Sequence, residues 1–176
     1  GLMTILYNVC RKENMATTAS FDEQEAHAYF ARTLNGEVWQ LLEKPDRTND
    51  ENVRMVHAAH ASAYHWLFAG TVVHQQRAEW LLARVYIVLG EAEPALRHAT
   101  RCQMLTEEYP DEMTDFDQAY GFEAMARACA LCQNLEDARW YYQLARQAGR
   151  LIKDAEDRKI FEVDFEGGEW FGIKLK

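Results

Sequence analysis

One segment of this chain occurs twice, with an offset of 43 residues. Residues 79–105 read EWLLARVYIVLGEAEPALRHATRCQML, and residues 122–148 read FEAMARACALCQNLEDARWYYQLARQA. In this alignment Ala83 falls on Ala126. Each copy contains two stretches of helical periodicity joined by a turn signal, which is Gly90 in the first copy. The repeat predicts helical hairpins stacked side by side, because such a unit buries its apolar face only against its neighbours.

Helical periodicity continues outside the repeated segment, and the chain is predicted to be all-α with about seven helices. Pro45, Gly70 and Pro110 separate several of them, and Asn35-Gly36 is expected to interrupt or kink the first. The predicted helices cover about 21–44, 49–68, 71–89, 91–107, 114–132, 135–149 and 153–161. We expect no strand before residue 160.

Three segments are predicted along the chain. Residues 1–20 form an irregular N-terminal segment, and residues 21–160 form a single helical domain. Residues 161–176 form an aromatic C-terminal tail that caps the last hairpin, since the end of a stacked array needs a cover. The clearest repeats within the helical domain cover 77–107 and 120–150.

The tail sequence FEVDFEGGEWFG allows two interpretations. Its alternating apolar and acidic residues, followed by Gly167-Gly168, are typical of a β-hairpin. That register would place Glu166 opposite Glu169, and like charges across a strand pair are unfavourable. The alternative is an extended or partly helical tail whose aromatic side chains cover the preceding hairpin.

Composition excludes several functional classes. A net charge of −9 argues against binding to nucleic acid or to an anionic membrane, because both require a cationic surface. No apolar run approaches the roughly 20 residues of a membrane span, and LMTILYNVC is too short for a signal core. Four cysteines in a chain with a helical core are expected to be reduced thiols. We therefore expect a cytoplasmic protein.

The repeated segment resembles the tetratricopeptide repeat, whose pattern runs W-x₂-L-G-x₂-Y, then A-x₃-F, then P. The connector TEEYPDEMT accounts for the nine residues by which the offset exceeds a 34-residue repeat. Trp is absent from the opening position of both copies, which Glu79 and Phe122 occupy. The residues aligned with the pattern are Glu79, Leu82, Ala83, Tyr86, Ala95 and Ala99, then Phe122, Met125, Ala126, Cys129, Ala138 and Tyr142. The chain is also similar to bacterial proteins that carry degenerate repeats of this kind. The resemblance implies a short tetratricopeptide-like α-α superhelix.

The resemblance further implies a non-enzymatic scaffold that needs no cofactor and binds a protein or peptide on the surface lined by the first helix of each hairpin. Arg84 and Arg127 stand in register, and two guanidinium groups can bind an acidic or carboxylate-bearing ligand. The alternative is a solvated surface in which Glu123 pairs with Arg127 four residues later. The residues that the resemblance places in the partner site are Arg77, Trp80, Arg84, Tyr120, Glu123 and Arg127.

A metal-binding or enzymatic alternative centres on His57 and His60, which lie on one helix face. Candidate third ligands are His27, His74 and His98, although nothing in the sequence places them nearby. Arg54 and His60 also fit the permissive R-x(4–6)-H pattern of the helical nuclease domains called HEPN, in which His60 would act as general acid or base. The competing interpretation is a set of histidines packed between alanine-rich helices. Cys129 and Cys132 are interpreted as core residues, because they end a helix and a thiolate is disfavoured there.

Two interactions of the chain with itself are also expected. Exposed aromatic residues on hairpin surfaces, Trp140, Tyr141 and Trp170, are candidates for a homodimer contact. The acidic, aromatic run 162–176 is a candidate for occupying the chain's own arginine-lined groove.

Overall fold

A computed structural model describes residues 21–173, and within this range the protein is all-α. Seven helices follow one another in order: α1 Glu23–Glu43, α2 Asn49–Ala69, α3 Val72–Leu89, α4 Ala92–Glu108, α5 Asp115–Leu131, α6 Leu135–Arg150 and α7 Ala155–Glu166. No strand occurs in this part of the chain. The prediction of an all-α fold built from stacked helical hairpins is confirmed. The predicted irregular segment 1–20 lies outside the described residues.

Local signals set most helix ends. Thr48 begins α2 with a capping box in which Thr48 and Glu51 each accept from the other's backbone N–H. Gly90 ends α3 with φ of 74°, a left-handed conformation that glycine adopts without steric cost. Gly36 does not interrupt α1, because packing of Val38 and Leu41 against α2 outweighs a local cost of about 1 kcal/mol.

The helices pack as three hairpins, α1–α2, α3–α4 and α5–α6, followed by α7. Helix α3 also packs on α5, and α7 packs on both α5 and α6. Alanine occupies the close contacts, since larger side chains would keep the helices apart. The alanines that align across the repeat are fully buried: Ala83, Ala95, Ala126 and Ala138. None of the helices in residues 21–173 is long and apolar enough to cross a membrane.

The C-terminal segment is helical for longer than predicted, since α7 continues to Glu166 rather than ending near residue 161. The β-hairpin interpretation is wrong. Phe161 and Phe165 are four residues apart, so a helix places both rings on one face, where they stack 5.4 Å apart against the preceding hairpin. After Gly167 the chain turns back, and Trp170 and Ile173 are buried.

We expect Gly149→Ala to destabilise the docking of α7. A methyl group at Gly149 would overlap the Phe161 ring, so α7 must shift away from α6 at a cost of about 1–3 kcal/mol. Thermal unfolding followed by circular dichroism measures this loss.

Gly36→Ala is the matched control, because nothing lies within 4 Å of a methyl group added at that helical position. It should stabilise the protein by about 0.5–1 kcal/mol through helix propensity alone. Equal shifts of the same sign for both variants would contradict the packing described for Gly149.

Candidate functional site

A groove of about 280 Å³ lies between α1, α3, α5 and α7. Three of these are the first helices of their hairpins, and α7 occupies the next position in the stack. Each helix contributes one or two turns to the lining, which is mostly apolar. The lining residues are Asn35, Trp39, Gln76, Arg77, Trp80, Leu81, Phe116, Asp117, Tyr120, Ile160 and Asp164.

Aromatic rings form a continuous surface in the groove. Trp39 of α1 stacks on Trp80 of α3 with 5.8 Å between ring centroids. Trp80 meets Tyr120 of α5 edge to face at 5.0 Å, and Phe116 lies 4.6 Å from Tyr120. Trp39 remains 38% exposed. The row is open to solvent at its α1 end, where Trp39 and the half-buried Trp80 offer an apolar surface for ligand side chains.

Arg77 lies at the rim of the groove and is held in place by Asp117. Its Nε donates to Asp117 Oδ1 at 2.7 Å, and its Nη2 donates to Oδ2 at 3.2 Å. Asp117 is buried and also accepts from the backbone and hydroxyl of Thr114. The Arg77 side chain is 53% exposed. A fixed, half-exposed guanidinium of this kind can receive a carboxylate from solution.

A second cavity adjoins the groove, because Asn35 and Arg77 line both. Its volume is also about 280 Å³, and the exposed Arg32 of α1 lies in its wall. His74 stacks on Trp66 at 4.3 Å, and burial lowers the pKa of His74 from its ordinary value of 6.5. The cationic groups of this cavity at neutral pH are therefore Arg32 and Arg77.

Behind the groove, the buried carboxylate of Glu123 gathers three donors. Trp80 donates its indole N–H to Oε2 at 3.1 Å, and Arg84 Nη1 lies 3.5 Å from Oε1. Arg127, one turn further along α5, donates its Nε to the same Oε1. These hydrogen bonds stabilise the packing of α3 against α5.

Arg127 also holds the end of the chain. Its Nη1 donates to the backbone carbonyl of Glu169 at 3.0 Å, and its Nη2 donates to those of Asp164 and Gly167 at 2.8 Å each. The Trp170 ring stacks over the guanidinium at 3.9 Å. Only 1% of Arg127 is exposed. The guanidinium thus satisfies carbonyls that the C-terminus of α7 would leave without partners.

The six residues predicted for the partner site separate into two groups. Arg77, Trp80 and Tyr120 line the groove. Glu123 and Arg127 lie beneath the C-terminal segment, and Arg84, with a side chain 21% exposed, connects to Glu123. Three lining residues that the repeat alignment does not supply are Trp39, Phe116 and Asp164. Trp39 precedes Trp80 by 41 residues, so an alignment at an offset of 43 misses it.

The tail is expected from the sequence to occupy the arginine-lined groove. In the structure it covers one of the two arginines expected there, Arg127. Residues 164–170 cover Arg127 with backbone carbonyls and the Trp170 ring rather than with acidic side chains. The aromatic surface around Trp39 and Trp80 stays open, with Ile160 and Asp164 of α7 as one wall. Residues 174–176 lie outside the described residues.

The histidines contact individual neighbouring side chains. His60 Nε2 is hydrogen-bonded to the Tyr86 hydroxyl at 2.8 Å, and the His98 ring lies 5.4 Å from that of His60. His98 Nδ1 contacts Glu79 at 2.7 Å. Among residues 21–173, no three His, Cys, Asp or Glu side chains come together as a group that could hold a metal ion. Arg54 pairs with Glu37 at 2.7 Å.

Burial raises the pKa of the Cys129 thiol to about 11 and raises that of Cys132 as well, so both favour the protonated form.

Trp140 is 64% exposed, whereas Trp170 is 5% exposed. The prediction of an exposed Trp170 is wrong, because its ring packs on Tyr142 and Arg127. Self-association through Trp140 and Tyr141 stays a prediction.

No family model, no curated protein and no solved structure matches this chain. The resemblance to tetratricopeptide repeats therefore stays an expectation that rests on the residues aligned within the chain.

We expect Arg127→Gln to lower the free energy of unfolding by about 3–5 kcal/mol, because it leaves the buried Glu123 carboxylate without its main cationic partner. Urea unfolding followed by tryptophan fluorescence measures the loss. Arg127→Lys keeps the charge but loses the planar fork that reaches several carbonyls, so it should lose less. Arg84→Gln is the control, with an expected loss of about 1 kcal/mol or less at a longer, partly exposed contact. Equal losses at Arg84 and Arg127 would contradict this description.

Stability should fall as the pH is lowered from about 7.5 to about 5.5. Burial lowers the pKa of His60, His65 and His74 from 6.5, so the unfolded chain binds protons more readily than the folded one below that value. Chemical denaturation across this window measures the slope. Replacing the three histidines with glutamine should flatten it. An unchanged slope in the triple variant would show that other groups control the pH dependence.

Proposed function

We propose that the protein is a non-enzymatic scaffold that binds an extended peptide segment of a partner protein in the groove between α1, α3, α5 and α7. The observation that carries this proposal is the row of aromatic rings that lines the groove from the exposed Trp39 through the half-buried Trp80 to the buried Tyr120. Aromatic rings that line a concave surface and stay partly exposed, as Trp39 and Trp80 do, are typical of binding sites.

The rigidity of the groove supports this function. Trp80 is fixed through its indole N–H by Glu123, and Arg77 is fixed through two hydrogen bonds by Asp117. Side chains that are held before binding lose little conformational freedom when a ligand arrives, which improves affinity. Aromatic residues and arginine are also the types that most often dominate binding energy at interfaces.

A carboxylate-bearing ligand fits the cationic end of the groove. The repeat alignment assigns this role to Arg84 and Arg127, but in the folded protein both donate to Glu123. Arg77 takes the role instead, together with Arg32 in the adjoining cavity. The proposed ligand class is thus the same as the one expected from the sequence, whereas the arginines proposed to bind it are different.

Selection of a displayed peptide library on the immobilised protein tests the proposal. Wild-type protein should enrich a family of apolar, acid-containing peptides, and Trp39→Ala should weaken their binding roughly tenfold or more, as removal of an aromatic anchor does. Because Trp39 is partly exposed, its loss should leave the helical content unchanged. Circular dichroism checks that point.

Trp140→Ala is the matched control, since Trp140 is an exposed tryptophan of α6 that does not line the groove. It should retain wild-type binding of the selected peptides. The proposal fails if no peptide is enriched over the bare support, or if the Trp39 and Trp140 variants bind the selected peptides equally.

A further inference from the structure

We infer that the groove binds its peptide in one orientation, with an acidic residue at the α1–α3 end and a basic residue at the α7 end. This inference rests on the proposed peptide-binding function and adds the charge pattern and the direction of the ligand. It follows from the placement of ionised side chains at opposite ends of the apolar surface.

The α1–α3 end carries an excess of positive charge. Arg32 and Arg77 line one cavity there, and Asp117 offsets only one of the two charges. Asp117 engages two of the five N–H donors of Arg77, so the guanidinium keeps donors for a ligand. Asn35, which lies between the two cavities, adds an uncharged amide. A carboxylate at this end meets two guanidinium groups on adjacent helices.

The α7 end presents a carboxylate. Asp164 lines the groove, and its Oδ2 accepts the Tyr120 hydroxyl proton in a hydrogen bond of 2.6 Å. Burial and this hydrogen bond both raise the pKa of the Tyr120 phenol, which therefore stays a neutral donor. A neutral donor orients the Asp164 carboxylate without cancelling its charge. Arg84 and Arg127 lie behind the groove on the Glu123 carboxylate and do not line it, so Asp164 is the charged side chain of this end that a ligand meets. An ammonium or guanidinium group of a ligand can bind there.

The surface between the two ends sets the length of the ligand. Packed helices lie about 8–10 Å apart, so the axes of α3 and α7, with α5 between them, are at most about 16–20 Å apart. An extended peptide rises about 3.3 Å per residue and covers that distance with about five or six residues. Trp80, Phe116 and Tyr120 line this part of the groove, which favours apolar residues between the charged ends.

Three capped peptides of about nine residues, each with the same apolar centre, test the inference. One carries aspartates at one end and lysines at the other, one carries aspartates at both ends, and one carries lysines at both ends. We expect the dipolar peptide to bind at least about threefold more tightly than the others by fluorescence anisotropy, consistent with partly exposed ion pairs. The preference should shrink between about 50 mM and about 300 mM salt.

Two conservative variants test which charge each end of the groove binds. Asp164→Asn keeps an acceptor for Tyr120 but removes the charge, so it should abolish the preference for the dipolar over the doubly acidic peptide. Arg32→Gln should reduce the preference for the dipolar over the doubly basic peptide. Arg139→Gln, an exposed arginine of α6 away from the groove, is the control and should change neither ratio.

A nitroxide label on the lysine end of the dipolar peptide reports the direction. Its paramagnetic broadening should be strongest at the amides of Ile160 and Asp164 and weak at Asn35. Equal affinities for the three peptides, or strongest broadening at Asn35, would overturn the orientation but leave the groove as a peptide site. If none of the three peptides binds and the library selection also enriches nothing, both the orientation and the proposed function are wrong.

Discussion

The C-terminal half of the protein depends on the buried ion pair between Glu123 and Arg127. Burial of two opposite charges costs several kcal/mol per ion and is tolerated only when the remaining donors and acceptors are satisfied. Here α3 supplies donors to Glu123, and the end of the chain supplies carbonyls to Arg127. Three segments that are distant in sequence must therefore meet in one register, or a charge is left buried without its partners.

The hairpins were predictable because their signals are local. Helical periodicity, the capping box of Thr48 and the left-handed Gly90 each act within a few residues. The end of α7 was not predictable in this way. Phe161 and Phe165 suit a strand at a spacing of two and a helix at a spacing of four, and only their contact with the preceding hairpin decides between the two.

The site was predictable in part for a related reason. The alignment identified three residues that line the groove, Arg77, Trp80 and Tyr120, and Arg77 and Tyr120 occupy equivalent positions on successive first helices. The equivalent of Trp80 is Glu123, which lies behind the groove. The alignment could not show that Arg127 is covered, because the last hairpin of an array has a neighbour unlike the others. Arg84 and Arg127 are equivalent in sequence, yet it is Arg127 that donates to the carbonyls of the segment that folds back over the stack.

Asp164 joins this buried pair to the groove. Its backbone carbonyl accepts from Arg127, and its carboxylate accepts from Tyr120 at the groove surface. The residue that completes the coordination of the buried arginine therefore also forms the acidic end of the proposed ligand site. A change that loosens the contact of Arg127 with α7 must then displace Asp164 as well. The shape and charge of the groove thus depend on a guanidinium that is itself buried.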